Sequence, residues 1–190
     1  MSVGIRHDDL RKRNRAMVIS AVRRAGQPSR TEIAATTGLS HSTISTISSD
    51  LITEGILAES KGSEPALLKR GRPQVGLALD PSAATIVAVV LSLNSLSAAV
   101  IDYAGNTIVA ETRRLVTQRM QAEALVEECI GIVRRLTERC GEAAGPVLRI
   151  AVAVQGVTDS GSRKLMWSPI TPHDDIPFAD RLEQEFGVPV

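Results

Sequence analysis

The sequence predicts a mixed chain of α+β and α/β class: a winged helix-turn-helix over residues 1–80, followed by an α/β layer unit over residues 81–190. Three observations carry that expectation. Two short helical segments meet at a glycine turn and are followed by two strand-like runs. From Ile86 onward, strand patterns alternate with helical ones. The charge balance also reverses where the pattern changes: residues 1–80 hold 12 Lys and Arg against 8 Asp and Glu, and residues 81–190 hold 10 against 13. A near-neutral total therefore conceals a basic first unit and an acidic second one, as expected for a nucleic-acid module on a more acidic partner.

Composition narrows the class. The chain has 190 residues, 43% hydrophobic and 23% charged, which suits globular units and excludes a disordered chain. No apolar run approaches the roughly 20 residues that span a bilayer, and the polar, basic start from Met1 to Arg15 has no secretory h-region. A cytoplasmic protein with no membrane partner is expected. Cys129 and Cys140 fall on one helical pattern, where 1.5 Å of rise per residue separates them by about 16 Å. That is beyond disulfide reach, and a reducing compartment suits both thiols.

In the first unit, Leu10, Met17, Val18, Ala21, Val22 and Ala25 fall at helical spacing until Gly26 and Pro28. Ser29-Arg30-Thr31-Glu32 has the S-x-x-E form of a capping box, so a second helix starts there, carries Ile33, Ala34 and Thr37, and closes at Gly38. Ser40 then caps a third helix whose Ile44, Ile47, Leu51 and Ile52 share one face until Gly55. Its other face carries His41, Ser42, Thr43, Ser45, Thr46 and Ser49. Short polar side chains at a helix N-terminus allow deep entry into a major groove, where hydroxyls bond phosphates and base edges. A merely solvated face would more often carry Glu, Lys and Gln, which are better helix formers. Ser42, Thr43, Ser45 and Thr46 are therefore expected to meet the major groove, with His41 and Thr31 beside them, and Arg30 and Asn14 to hold phosphates.

Ile56 to Lys61 reads as a strand and Val75 to Leu79 as its partner. The loop between them carries Lys69, Arg70, Gly71, Arg72 and Pro73, three cations around a glycine that permits close approach and before a proline that keeps the chain extended. That pattern suits a wing inserted along a minor groove.

The run of Asn14, Ser29-Arg30-Thr31-Glu32-Ile33-Ala34, Thr37-Gly38-Leu39-Ser40, Leu51-Ile52-Thr53-Glu54-Gly55-Ile56-Leu57 and Gly71-Arg72-Pro73 resembles the N-terminal domain of ROK-family repressors. The resemblance implies double-stranded DNA as a partner, a homodimer, and a sugar effector in a full-length form.

The second unit reads as strands over Ile86 to Leu91, Ser97 to Ile101 and Thr107 to Ala110, with a turn at Asp102 to Asn106. A long helix follows, with Leu125, Cys129, Ile132, Val133, Leu136 and Cys140 on one face. Then come a strand over Arg149 to Val154, a loop over Gln155 to Gly161, and a last helix with Phe178, Leu182 and Phe186 before Val188-Pro189-Val190. This order also resembles ROK proteins, whose second domain is actin-like, as in sugar kinases. The resemblance implies an incomplete N-lobe, because family members continue into an Asn-Asp sugar and catalytic motif and a Cys-rich zinc motif. It also exposes two departures. Where the family's kinases place Asp-x-Gly-Gly-Thr around phosphate, this chain has Val90-Leu91-Ser92-Leu93-Asn94; and Ile170 and His173 stand where relatives often carry Asn and Trp around the sugar cleft. Without the glycine nest and its carboxylate, ATP and metal lose their cradle.

His7, His41 and His173 are scattered without Cys or carboxylate at ligand spacing, and Asp159 and Asp174-Asp175 read as turn and helix-cap residues. No catalytic residue, metal ligand or cofactor is expected. A non-enzymatic, sequence-reading repressor of sugar-metabolism genes accounts for both units. A ROK sugar-kinase relative accounts only for the second, and a non-specific DNA-coating protein accounts for the basic residues but not for the ordered turn and wing.

Overall fold

The computed structural model describes residues 7–61, 75–141 and 144–190. It divides into two compact units, Met1–Asp80 and Pro81–Val190.

The first unit opens with α1 (His7–Ala25), ended by Gly26 in the left-handed region at φ 81°. Its buried stripe is Val18, Ala21 and Val22, whereas Leu10, expected on the same stripe, stays 42% exposed. Leu10 lies beyond the end of the helical core, against a groove shared with the third helix. The helices α2 (Arg30–Thr37) and α3 (His41–Thr53) follow, then an antiparallel pair, β1 (Leu57–Lys61) and β2 (Val75–Leu79), with Leu57 opposite Leu79. On its other side β2 meets the chain before α2: Leu77 N–H donates to Pro28 O at 2.9 Å, and Ser29 bridges Gly76. Gly76 permits this approach, since a Cβ there would lie 2.9 Å from the Gln27 carbonyl oxygen. Ile33, Ile44, Leu51, Leu57 and Leu77 close the core.

In the second unit β3 (Thr85–Ser92), β4 (Ser95–Asp102), β5 (Thr107–Arg114) and β6 (Val147–Val154) form a sheet of order β5-β4-β3-β6. Only the β3–β6 pair is parallel, because it is the one joined through a crossover helix, α4 (Ala122–Cys140). Val87, Val89 and Leu91 alternate into one face and pack with Leu125, Cys129, Ile132, Val133 and Leu136 of α4 and with Phe178 and Leu182 of α5 (Phe178–Phe186). Ile86 and Val90, on the other face, remain exposed. The result is the mixed fold class the sequence predicts, with an α/β layer unit in second place.

Three features differ from expectation. The fifth strand runs four residues past Ala110, since alternation continues through polar Glu111 to Arg114, which the hydrophobic pattern undercounts. The segment read as a loop after Val154 holds a small hairpin, β7 (Val157–Thr158) with β8 (Leu165–Trp167), too short to leave a periodicity. Asp174 and Asp175 do not cap α5, whose N-cap is Pro177, and Asp175 instead takes a left-handed conformation at φ 55°. Asp159 is a turn residue as expected: its Oδ1 accepts from the Arg163 and Lys164 amides at 2.6 and 2.9 Å.

Candidate nucleic-acid interface

The helix-turn-helix is fixed at both ends by local hydrogen bonds. Ser29 Oγ accepts from the Glu32 amide at 3.3 Å, while Glu32 Oε2 accepts from the Ser29 amide at 2.7 Å, completing the capping box. These bonds to Ser29, the backbone one foremost, hold the Glu32 carboxyl below its ordinary pKa of 4.5. Gly38 closes α2 at φ 71°, its amide donating to Ala34 O at 2.9 Å. One residue later the chain turns into α3, capped by Ser40 Oγ, which accepts from the Thr43 amide at 3.2 Å. The far end of α3 is a Schellman closure: Ile56 N–H donates to Leu51 O at 2.9 Å and Gly55 N–H to Ile52 O at 3.0 Å, with Gly55 at φ 72°.

With Ile44, Ile47, Ser48 and Leu51 buried, α3 turns His41, Ser42, Ser45, Thr46 and Ser49 outward; Thr43 is half-buried. Their hydroxyls are not equivalent. Ser42 and Thr43 lie 2.9 and 2.8 Å from Ser40 Oγ, inside the cap, and Thr46 Oγ1 donates to Ser42 O at 3.1 Å. Thr46 has thus committed its proton and presents lone pairs, whereas the exposed Ser45 hydroxyl is not held by a bond of this kind.

The flanking cations sit in ion pairs that the sequence pattern does not reveal. Arg30 Nη2 lies 3.0 Å from Glu59 Oε1, Arg11 pairs with Asp50 at 2.9 Å, and Arg15 grips both Glu54 oxygens. The hydrogen bond from Arg15 draws the Glu54 carboxyl below its ordinary pKa. Asn14 is half-buried beside Ser42, Thr43 and Thr46 in a groove between α1 and α3. Thr31 is exposed on the first turn of α2. Lys69, Arg70, Gly71, Arg72 and Pro73 lie outside the described residues.

The second unit shows what occupies the expected phosphate turn. Leu93 and Asn94 make a tight hairpin turn with Ser92 opposite Ser95, and neither has positive φ, so no concave nest of amides forms there. Buried Thr117 Oγ1 lies 2.6 Å from the Leu93 carbonyl and 2.7 Å from that of Ile170, its one proton shared between them, and the Asn94 carbonyl accepts from the Leu115 amide at 3.0 Å. Ile170 is buried, and His173 Nε2 lies 3.1 Å from the Met120 carbonyl. Cys129 and Cys140 are both free thiols; burial pushes the Cys129 thiol up to about 12. Among the described residues, no group of three or more His, Cys, Asp or Glu is placed to hold a metal, and no helix is long and apolar enough to cross a membrane.

The described residues thus form two units, a helix-turn-helix with the β1–β2 pair and an α/β unit that follows it in sequence. The chain has the fold of ROK family transcriptional regulators. A solved member, a homologue of the E. coli MLC protein, superposes with a TM-score of 0.69 at 18% identity, over 95% of this chain and 45% of that one. In sequence the chain is similar to a xylose repressor of Caldicellulosiruptor bescii, 22% identical over 184 residues. It is also 23% identical over 184 residues to a candidate xylose repressor of Caldicellulosiruptor sp. strain Rt8B.4. The alignments take in 97% of this chain and 45% of each relative, so the chain spans about half the length of the curated relatives it matches. No family model matches it.

Proposed function

We propose that the chain is a sequence-specific, DNA-binding transcriptional regulator, a repressor of sugar-metabolism genes, that binds double-stranded DNA as a homodimer. The observation that carries this reading is the outward N-terminal face of α3, with Ser42, Ser45 and Thr46 exposed on a helix whose entry and exit are both locked by caps. A rigid helix presenting short hydroxyls loses little ordering entropy on entering a groove, and its N-terminal dipole favours the phosphates that flank it. In this reading Asn14 anchors backbone, Arg30 does so by exchanging Glu59, a partner 53% exposed, for phosphate, His41 and Thr31 border the contact, and Lys69, Arg70, Gly71 and Arg72 form the wing in the adjacent minor groove. The names of the two relatives support a sugar-linked repressor, and a sugar effector would act through the longer form that such proteins have. The experiment is a footprint on the promoter region beside the protein's own gene. A protected two-fold site that survives excess random competitor supports the reading, and protection lost to competitor in proportion to its mass contradicts it.

The second unit is, in the same proposal, not a kinase. Its turn at Ser92-Leu93-Asn94 spends its carbonyls on Thr117 and Leu115 and offers phosphate no amide cradle. Calorimetry with ATP and magnesium is expected to give no heat of binding; a magnesium-dependent affinity would overturn that part.

A further inference from the structure

The acidic residues of α3 have no account in base reading or in helix stability. Asp50 and Glu54 lie at the end of α3, where the dipole disfavours carboxylates, and the last turn carries no cation to offset them. A carboxylate beside a DNA-reading face also repels phosphate. Each instead holds an arginine of α1: Arg11 Nη2 lies 2.9 Å from Asp50 Oδ2, and Arg15 Nη1 donates to Glu54 Oε1 at 2.9 Å. The Arg11 and Asp50 side chains are 60% and 33% exposed, and exposed pairs of this kind contribute little to fold stability. What they change is the local charge. The segment Arg11-Lys12-Arg13-Asn14-Arg15 packs four cations into five residues, and Arg11, Asn14 and Asp50 line one groove with Ser42, Thr43 and Thr46.

We propose that Asp50 is a positioning residue that withholds Arg11 from DNA phosphates and so sets the strength of sequence-independent binding beside the hydroxyls of α3. The inference rests on the DNA-reading proposal above. Backbone affinity grows with each phosphate neutralised, whereas specificity is the ratio of cognate to random binding. Arg11 stands in the same groove as the reading hydroxyls, so once unpaired it reaches the flanking phosphates of any sequence. Pairing it lowers affinity for cognate and random DNA alike and leaves their ratio to the hydroxyls. Glu54 does the same for Arg15 one turn further on, with a shorter reach because the Arg15 side chain is only 22% exposed.

The test measures binding of the whole chain to its footprinted duplex and to a random duplex by fluorescence anisotropy between 50 and 200 mM salt. Asp50→Asn keeps the shape of the side chain and removes its charge. It is expected to tighten binding to the random duplex and to steepen its salt slope by about 0.9, an extra loss of about 3.5-fold in affinity across that salt range. The cognate duplex gains the same increment, so the cognate-to-random ratio stays that of the parent. Arg11→Ala is expected to leave the slope of the parent unchanged but to abolish the increment in the Asp50→Asn background. An unchanged slope in well-folded Asp50→Asn, or a slope reduced by Arg11→Ala in the parent, would overturn the proposal. If Asp50→Asn does not fold, Arg11→Ala in the parent decides alone: an unchanged slope supports withholding, and a reduced slope means that Arg11 already touches phosphate. Failure of the DNA-reading proposal is visible separately, as a parent chain that binds neither duplex, and overturns this inference with it.

Discussion

Removing either half of the capping box at the start of α2 tests whether local sequence chemistry holds the helix-turn-helix. With only eight residues, α2 is far below the length at which an isolated helix is stable, so its ends matter disproportionately. Ser29→Ala removes the acceptor for the Glu32 amide and is expected to cost about 1 kcal/mol, the usual price of an N-cap. Glu32→Ala is expected to cost more, about 1–3 kcal/mol, because it removes a charge-assisted 2.7 Å bond and strands the amide of Ser29, a residue only 7% exposed. The double variant should cost less than the sum, since each single variant already breaks the reciprocal motif. Urea unfolding followed by circular dichroism at 222 nm supplies the midpoints. Acid provides a second readout. The folded-state pKa of Glu32 is depressed, so its contribution is present above the ordinary value of 4.5 and is lost as pH falls through the lower folded value. Ser29→Ala should flatten that loss. Equal midpoints for the parent and both single variants, or Ser29→Ala costing more than Glu32→Ala, would refute the reasoning.

Two further outcomes follow from other sites. Ser48 Oγ is buried on α3 without a partner among the described residues, so Ser48→Ala should leave stability unchanged or raise it by up to about 1 kcal/mol, read as a shift in melting temperature. For the proposed wing, Arg72→Lys conserves charge but not the weakly hydrated guanidinium that a narrow groove favours; binding should weaken mainly on operators with A·T-rich flanks, and affinities on A·T and G·C flanks equal to those of the parent would leave only an electrostatic clamp.

Most of the helix-turn-helix was legible in the sequence because its determinants are local. Ser29 and Glu32 are three residues apart, Ser40 and Thr43 likewise, and Gly38 and Gly55 each mark a left-handed closure. The buried stripe of α4 was readable for the same reason, since nineteen residues give five turns of unbroken periodicity. What escaped was either too short or too distant. The β7–β8 hairpin offers two strands of two and three residues, below any period-2 signal. The Arg11–Asp50 and Arg15–Glu54 pairs join residues 39 positions apart, and no spacing rule connects them. The site therefore appeared in sequence as a set of polar residues, and only the fold sorted them into hydroxyls already engaged in the Ser40 cap, a Thr46 that can only accept, and an unconstrained Ser45.

That sorting leads to the most direct measurement of the central claim, that α3 reads bases. Duplexes selected from a randomised pool by the parent chain and by Ser45→Ala should differ in one respect: the variant loses base preference at one position of each half-site and keeps the rest, with a cost of about 1–3 kcal/mol on the parental site. Selected pools identical in sequence, with binding weakened equally on every duplex, would contradict the account and leave α3 as a backbone anchor.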